Sequence, residues 1–326
     1  MSSATLSIKA APRRSNLGYE RVFRQGRLTL GFIAPLEAYP DSPFPTLAEH
    51  ARLARKIDES GFAALWMRDV PFFDPTFGDA GQILDPFVYA GYLAAATQRI
   101  ALGTAGVVLP LRDPLIVAKQ AASVDQLTGG RFVLGLSSGD RSAEYPAFGV
   151  DYANRADRFR EAFELIAKVL EADFPQVQTR HYGTLDGALD LIPKPVRAMP
   201  MIVIGQARQD PAWIGANADA WIGHLSDFTR LPDKLRAWRE SGEDGRFRPY
   251  GYGSFFELAA DPGAPLQHIG NRFRIGRNRL TDLLKDQERQ GVNHVALNLK
   301  PQRRPAEEVI QELAEFVLPH FPSDDG

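Results

Sequence analysis

The stretch "IALGTAGVVLPLRDPLIVAKQAASVDQLTGGRFVLGLSSGD", Ile100 to Asp140, decides how this chain is read. It holds two apolar runs, 100–111 and 131–138, separated by a segment that starts at Asp113-Pro114 and ends at Gly129-Gly130. Aspartate before proline is a helix start, and glycine after the last apolar turn is a helix stop. The unit is therefore strand–helix–strand. Neither strand alternates apolar with polar, so both faces of each must be covered, which is the habit of parallel strands flanked by helices.

Working outward, the same unit recurs. Toward the N-terminus lie "LTLGFIAPL" (28–36), a helical stretch at 46–61, "FAALWMRDV" (62–70) and a helix near 85–98. In the stretch 46–61, Leu47, Ala51, Ala54 and Ile57 share one face and Gly61 ends the helix. Toward the C-terminus come a long helix carrying Phe159, Phe163, Ile166 and Leu170, then "MIVIGQ" (201–206) with a helix near 210–218. "AWIGH" (220–224) precedes a helix near 231–241, "YGYGSFFEL" (250–258) one near 277–290, and "HVALNL" (294–299) one at 305–318. Eight strand–helix pairs in series close most simply into a (β/α)8 TIM barrel. An open doubly wound sheet would carry a glycine-rich dinucleotide loop, and neither G-x-G-x-x-G nor a Walker A sequence is present. The expected organisation is an N-terminal arm over 1–27, partly disordered, then one barrel domain over 28–326. Insertions are expected at 71–84 and about 174–198.

Composition narrows the chemistry. With 326 residues, 44% of them apolar and 24% charged, there is ample material for one large core. A net charge of −2 gives no basic excess for nucleic acid or an anionic membrane. There is no cysteine, so disulfides, thiolate metal sites and cysteine nucleophiles are excluded. No apolar run reaches the roughly 20 residues of a spanning helix. Arg13-Arg14 is followed by "SNLGYE" rather than an apolar export segment, so a cytoplasmic location is expected. No His/Asp/Glu group has metal-ligand spacing, and none is assigned to a metal.

In such barrels the site is built where the strands end. "SSGDRS" after the fourth strand spends more small and polar residues than a turn requires: hydroxyls at Ser137, Ser138 and Ser142, a flexible Gly139 and a cation at Arg141. "GQARQDP" after the fifth strand repeats the idea, with Gly205 at the strand end and a helix starting at Pro211. Small residues, hydroxyls and free amides before a helix suit a phosphate. A plain capping loop is the competing reading of each. His224 ends the sixth strand, where a histidine satisfied by a carbonyl is the alternative to a functional one. Arg68-Asp69 end the second strand and could equally be an ion pair orienting a loop. Phe72, Phe73 and Phe77, with Phe255 and Phe256, are candidates for an apolar pocket. "GNRFRIGRNR" (270–279) is a rival anion site.

On these residues the sequence resembles the luciferase-like flavin monooxygenases, which include the bacterial luciferase subunits and the alkanesulfonate monooxygenases. The resemblance runs from Leu28 over nearly the whole chain. It is most specific in "LGTAGVVLPLRDPLIVAKQAASVDQLTGGRFVLGLSSGD" and continues in "ESGFAALWMRD" and "NADAWIGH". It implies reduced FMN supplied by a separate flavin reductase, O2 as oxidant, and transfer of one oxygen atom to a small organic substrate through a flavin C4a-hydroperoxide. It implies that Thr104 faces the flavin ring. Ser138, Gly139 and Tyr145, with Gly205, Gln206, Ala207 and Arg208, would follow the ribityl phosphate. Arg68 and Asp69 stand where several relatives carry histidine near the reactive edge, so Asp69 or His224 is the substitute acid–base candidate. A homodimer through helices near the second and third strands is also implied. Two alternatives share the fold: hydride transfer with the deazaflavin F420, and a flavin-binding protein without turnover.

Overall fold

The computed structural model describes residues 14–241 and 245–324. Eight strands form the barrel: β1 (Thr29–Ile33), β2 (Ala64–Met67), β3 (Ala101–Thr104), β4 (Phe132–Ser137), β5 (Met201–Ile204), β6 (Ala220–His224), β7 (Tyr250–Leu258) and β8 (His294–Asn298). Every neighbouring pair is parallel, from β1–β2 round to β7–β8, and β8 pairs with β1 in the register Thr29↔His294 to Ile33↔Asn298, which closes the cylinder. The strands are buried on both faces, as their unbroken apolar runs require.

The helices that cover the barrel start where aspartate and proline place them. α3 (Pro86–Ala96), α4 (Pro114–Thr128) and α6 (Pro211–Asn217) each have an N-cap aspartate, Asp85, Asp113 and Asp210, accepting backbone N–H bonds from the first turn. α5 (Arg155–Glu171) lays Phe159, Phe163, Ile166 and Leu170 into the core, each worth about 1.5–3 kcal/mol when fully buried. α7 (Leu231–Glu240), α8 (Arg277–Gln290) and α9 (Ala306–Phe316) complete the ring.

Two stretches depart from the sequence reading. α2 spans His50–Ser60 and ends at Gly61 (φ 93°), so Leu47 lies before the helix, at φ 55°. The Glu37 carboxylate accepts the backbone N–H of Thr46 and, at 2.9 Å, its hydroxyl, holding that entry turn outside the helical pattern. The second departure is the start of the chain. Residues 14–27 are packed in: α1 (Leu17–Val22) sits across the strand starts. Asn16 caps it and donates to the Phe132 carbonyl at 2.6 Å, and the Tyr19 hydroxyl donates to the Asp219 carbonyl at 3.0 Å. Of the arm expected over 1–27, partly disordered, residues 1–13 lie outside the described residues.

With α1 plugging the bottom, the barrel interior is small-residue lined. Ala63, Ala64, Ala101, Ala220 and Ala296 surround one large ring, Trp66. That leaves the top open. The insertion at 174–198 contributes an antiparallel hairpin, Gln176–Gln178 with Thr184–Asp186, and a second hairpin, Gln267–Ile269 with Arg272–Ile275, extends β7.

Candidate active site

A cavity of about 420 Å³ opens at the C-terminal ends of the strands, within the range of small-molecule and cofactor sites. Its floor is apolar, with Ile33, Trp66, Ile204, Ile222 and Ala296; its rim is polar, with Arg68, Asp69, Ser138, Gly139, Asp140, Arg141, Gly205 to Arg208, His224 and Asn298.

The rim after β5 carries the most unusual backbone. Gly205, Ala207 and Arg208 have φ of 68°, 47° and 59°. Left-handed backbone at two non-glycine positions in succession costs energy and gathers at binding sites. Among the described residues, the N–H groups of Gln206, Ala207 and Arg208 find no acceptor. The turn is braced from behind: Gln209 donates from its backbone N–H to the Gln206 carbonyl at 2.8 Å, and Arg160 donates to the Gln209 side-chain oxygen at 2.8 Å. Unpaired amides in a fixed concavity attract an anion.

Beside it, because β4 and β5 are paired neighbours, the loop after β4 brings Ser138 and Gly139 to the rim. Gly139 has φ 69°, and a Cβ there would lie 2.7 Å from a methyl of Val108, so only glycine fits. The Tyr145 hydroxyl donates to the Ser138 carbonyl and fixes the loop from beneath. Tyr145 is buried and does not line the cavity. Behind it, the Arg155 guanidinium stacks 3.5 Å over the Tyr152 ring, which meets Tyr145 edge-on at 4.8 Å, and Arg155 Nε is buried without a partner. Nothing in the sequence pattern singled out Arg155.

Thr104 is also out of the cavity. Its hydroxyl donates to the Gly135 carbonyl at 2.7 Å and accepts from the Gly135 N–H at 2.8 Å, so it joins β3 to β4 in the barrel wall. Asp69 lines the cavity, but its carboxylate accepts two bonds from Arg112, at 2.6 and 2.8 Å, and one from the Val108 N–H at 2.9 Å. Three strong bonds and a paired charge suit it to orienting the loop. Arg68 is bound to the Asp79 carboxylate of the 71–84 loop. That carboxylate also takes Lys300 at 3.3 Å and the Tyr39 hydroxyl at 3.2 Å. Burial works against its charge, yet Arg68 and Lys300 together hold its pKa below the usual carboxylate range.

His224 presents its ring to the cavity, edge-on to Phe255 at 6.1 Å. The protein walls around the ring, and then the positive Arg68, keep its pKa below the ordinary histidine value, so it is neutral at pH 7. Of the other aromatics, Phe255 lines the cavity and Phe256 belongs to the core. Phe72, Phe73 and Phe77 stand exposed on the 71–84 loop, outside the pocket expected of them. The arginines of 270–279 are already paired: Arg272 and Arg274 share Glu257, Arg277 meets Glu312 and Arg279 lies 3.8 Å from Asp282. No group of three or more His, Cys, Asp or Glu side chains among the described residues could hold a metal ion.

The frame is thus a closed (β/α)8 barrel with an apolar well and a polar rim at the strand ends. The family model described as luciferase-like monooxygenase matches residues 26–292, and the chain belongs to that family. The 4-hydroxyprotoasukamycin monooxygenase of Streptomyces nodosus subsp. asukaensis is 31% identical over 179 residues, which cover 54% of this chain and 47% of the relative. The match thus spans just under half of that relative's length. Among solved structures, an F420-dependent secondary alcohol dehydrogenase in complex with an F420–acetone adduct superposes with a TM-score of 0.71 at 19% identity, covering 90% of this chain and 99% of the other. The oxygenating constituent of 3,6-diketocamphane monooxygenase from Pseudomonas putida, in complex with FMN, superposes with a TM-score of 0.67 at 12% identity, covering 90% and 98%. At those identities the likeness is one of fold.

Proposed function

We propose that this protein is the oxygenase of a two-component, FMN-dependent monooxygenase. One observation carries the reading: backbone amides without an acceptor at Gln206, Ala207 and Arg208 lie beside the Ser138-Gly139 turn, on the rim of an apolar well of about 420 Å³. Two adjacent turns, rich in small residues, hydroxyls and amides, at the rim of an apolar well suit a ring that ends in a phosphate. Ser138, Gly139 and Gly205 to Arg208 hold the phosphate and ribityl chain. Trp66, Ile33 and Ile204 contact the ring. Thr104 and Tyr145 act one layer back, by fixing β4 and the Ser138 loop. Reduced FMN, when bound, supplies the two electrons that let O2 give one oxygen atom to the organic substrate and release the other as water.

The protein's own share is to exclude water and to move a proton. Neutral His224, on the cavity wall, is the proton carrier; Arg68 and Asp69 position the loop beside it. The electrons come from a separate flavin reductase. Val88, Tyr92, Ile116 and Leu127 are exposed on α3 and α4, and we place the homodimer interface there. Among the described residues no helix is long and apolar enough to cross a membrane, and the protein is read as cytoplasmic.

F420-dependent hydride transfer is the second reading, because a deazaflavin carries the same flat ring and phosphate-bearing tail and an F420 enzyme shares the fold. Oxygen uptake separates the two. With reductase-supplied reduced FMN and a panel of ketones, phenols and aldehydes, one product should incorporate an atom of 18O from labelled O2. Substrate-dependent oxidation of reduced F420 or reduction of F420 without O2 consumption would replace the oxygenase reading.

A further inference from the structure

Arg141 is the cavity residue whose bonding is incomplete. It is 6% exposed and lines the cavity. Its Nη2 donates to the Asp79 carbonyl at 2.9 Å and its guanidinium lies 4.5 Å over the Phe77 ring. Its Nη1 is buried without a partner, and among the described residues no carboxylate comes within ion-pair distance of it. Of the carboxylates around it, Asp79 is committed to Arg68 and Lys300, and Glu144 and Asp140 act on it from beyond ion-pair distance. Burial, and then the neighbouring Arg68, disfavour its charge. A guanidinium in that state is a fixed fork with one prong already tied and one without a partner, on a residue that lines the cavity.

Its direction matters. Arg141 leaves the loop after β4 and reaches the 71–84 loop that follows β2, whereas the free amides proposed to hold the phosphate follow β5 on the other side. We infer that Arg141 is the substrate anchor of this site, and that the substrate is an organic acid whose carboxylate takes the open Nη1 prong beside the 71–84 loop. This rests on the flavin reading above for the location of the cofactor. The specificity it confers is for an anion over its neutral isostere, since the neutral group forgoes the charge-assisted bond to the open prong.

The test is a binding comparison on the full chain saturated with FMN, using benzoate against benzamide and 2-naphthoate against 2-naphthamide, read by calorimetry. At least one acid should bind tenfold or more tightly than its amide. Arg141→Gln should bring each pair within about twofold while leaving FMN affinity within twofold. Arg208→Gln, in the turn after β5, should keep the acid preference and weaken FMN. If Arg141→Gln does not fold, Arg141→Lys is read instead, and a preference reduced at least threefold is expected because a single ammonium cannot span both partners. Equal binding of acids and amides to the wild type, or a preference that survives substitution of Arg141, overturns the inference. So does a loss of FMN affinity equal to the loss for the acid, which would assign Arg141 to the ring. An Arg141-dependent acid preference without FMN binding would leave the inference standing and remove the flavin reading.

Discussion

The indole Nε1 of Trp66 donates to Nε2 of His294 at 2.9 Å, beneath the cavity floor. That bond makes Nε2 the acceptor, so the other ring nitrogen carries the proton and meets the Thr29 hydroxyl at 2.8 Å. Thr29 in turn donates to the Val22 carbonyl at 2.7 Å, at the end of α1. A single directional chain therefore runs from the base of the substrate well to the plug at the other end of the barrel, and it holds the Trp66 ring in one orientation.

This chain predicts a pH dependence of stability. Complete burial pushes the His294 pKa down from 6.5 to about 3. The folded protein keeps the ring neutral while the unfolded chain protonates it below pH 6.5. The contribution is therefore full above pH 6.5 and is lost as pH falls toward 3, by up to about 1.4 kcal/mol per unit. Buried Asp219, lifted to about 6, acts in the opposite sense, so the informative quantity is the difference between wild type and His294→Asn in urea melts from pH 7 to 5. A difference that shrinks toward low pH is expected; one independent of pH would refute the assignment.

Asp79 is the clasp of the 71–84 loop. Changing it to asparagine leaves Arg68 and Lys300 without their counter-charge. About 1–3 kcal/mol of stability should be lost, less than for a fully buried pair because Arg68 remains partly exposed. Limited proteolysis should then cut within 71–84 before any other site. Unchanged melting and an uncut loop would show the clasp to be idle.

For His224, replacement by glutamine should lower kcat by about 10²–10⁴-fold with FMN affinity preserved. The depressed pKa puts the acid limb of the wild-type rate profile below pH 6.5, and that limb should vanish in the variant. Persistence of the limb would move the proton to another group.

Much of this was legible in the residues. Doubly buried strands read as unbroken apolar runs, and Asp85, Asp113 and Asp210 before their prolines mark helix starts because the cap is a local interaction. What escaped was long-range pairing. The arginines of 270–279 read as a free anion site because Glu257 and Glu312, which pair with three of them, are brought there by the fold. Asp69 read as a base because Arg112, 43 residues on, is not a sequence neighbour. The same blindness hid the packing of residues 14–23 under the barrel, since α1 touches strand starts scattered from Thr29 to Asp219. The turns after β4 and β5, proposed to hold the phosphate, stood out more clearly, because surplus glycine and serine after a buried strand is a local signal.

The central claim is that the turns after β4 and β5 hold a flavin by its phosphate. Anaerobic titration with reduced FMN and reduced riboflavin, in wild type and Gly139→Ala, tests it most directly. FMN should bind at least about tenfold more tightly than riboflavin, as one or more charge-assisted bonds of roughly 1.5–3 kcal/mol require, and the alanine should abolish that advantage. Equal affinity for the two flavins, or no affinity for either together with none for F420, would contradict it.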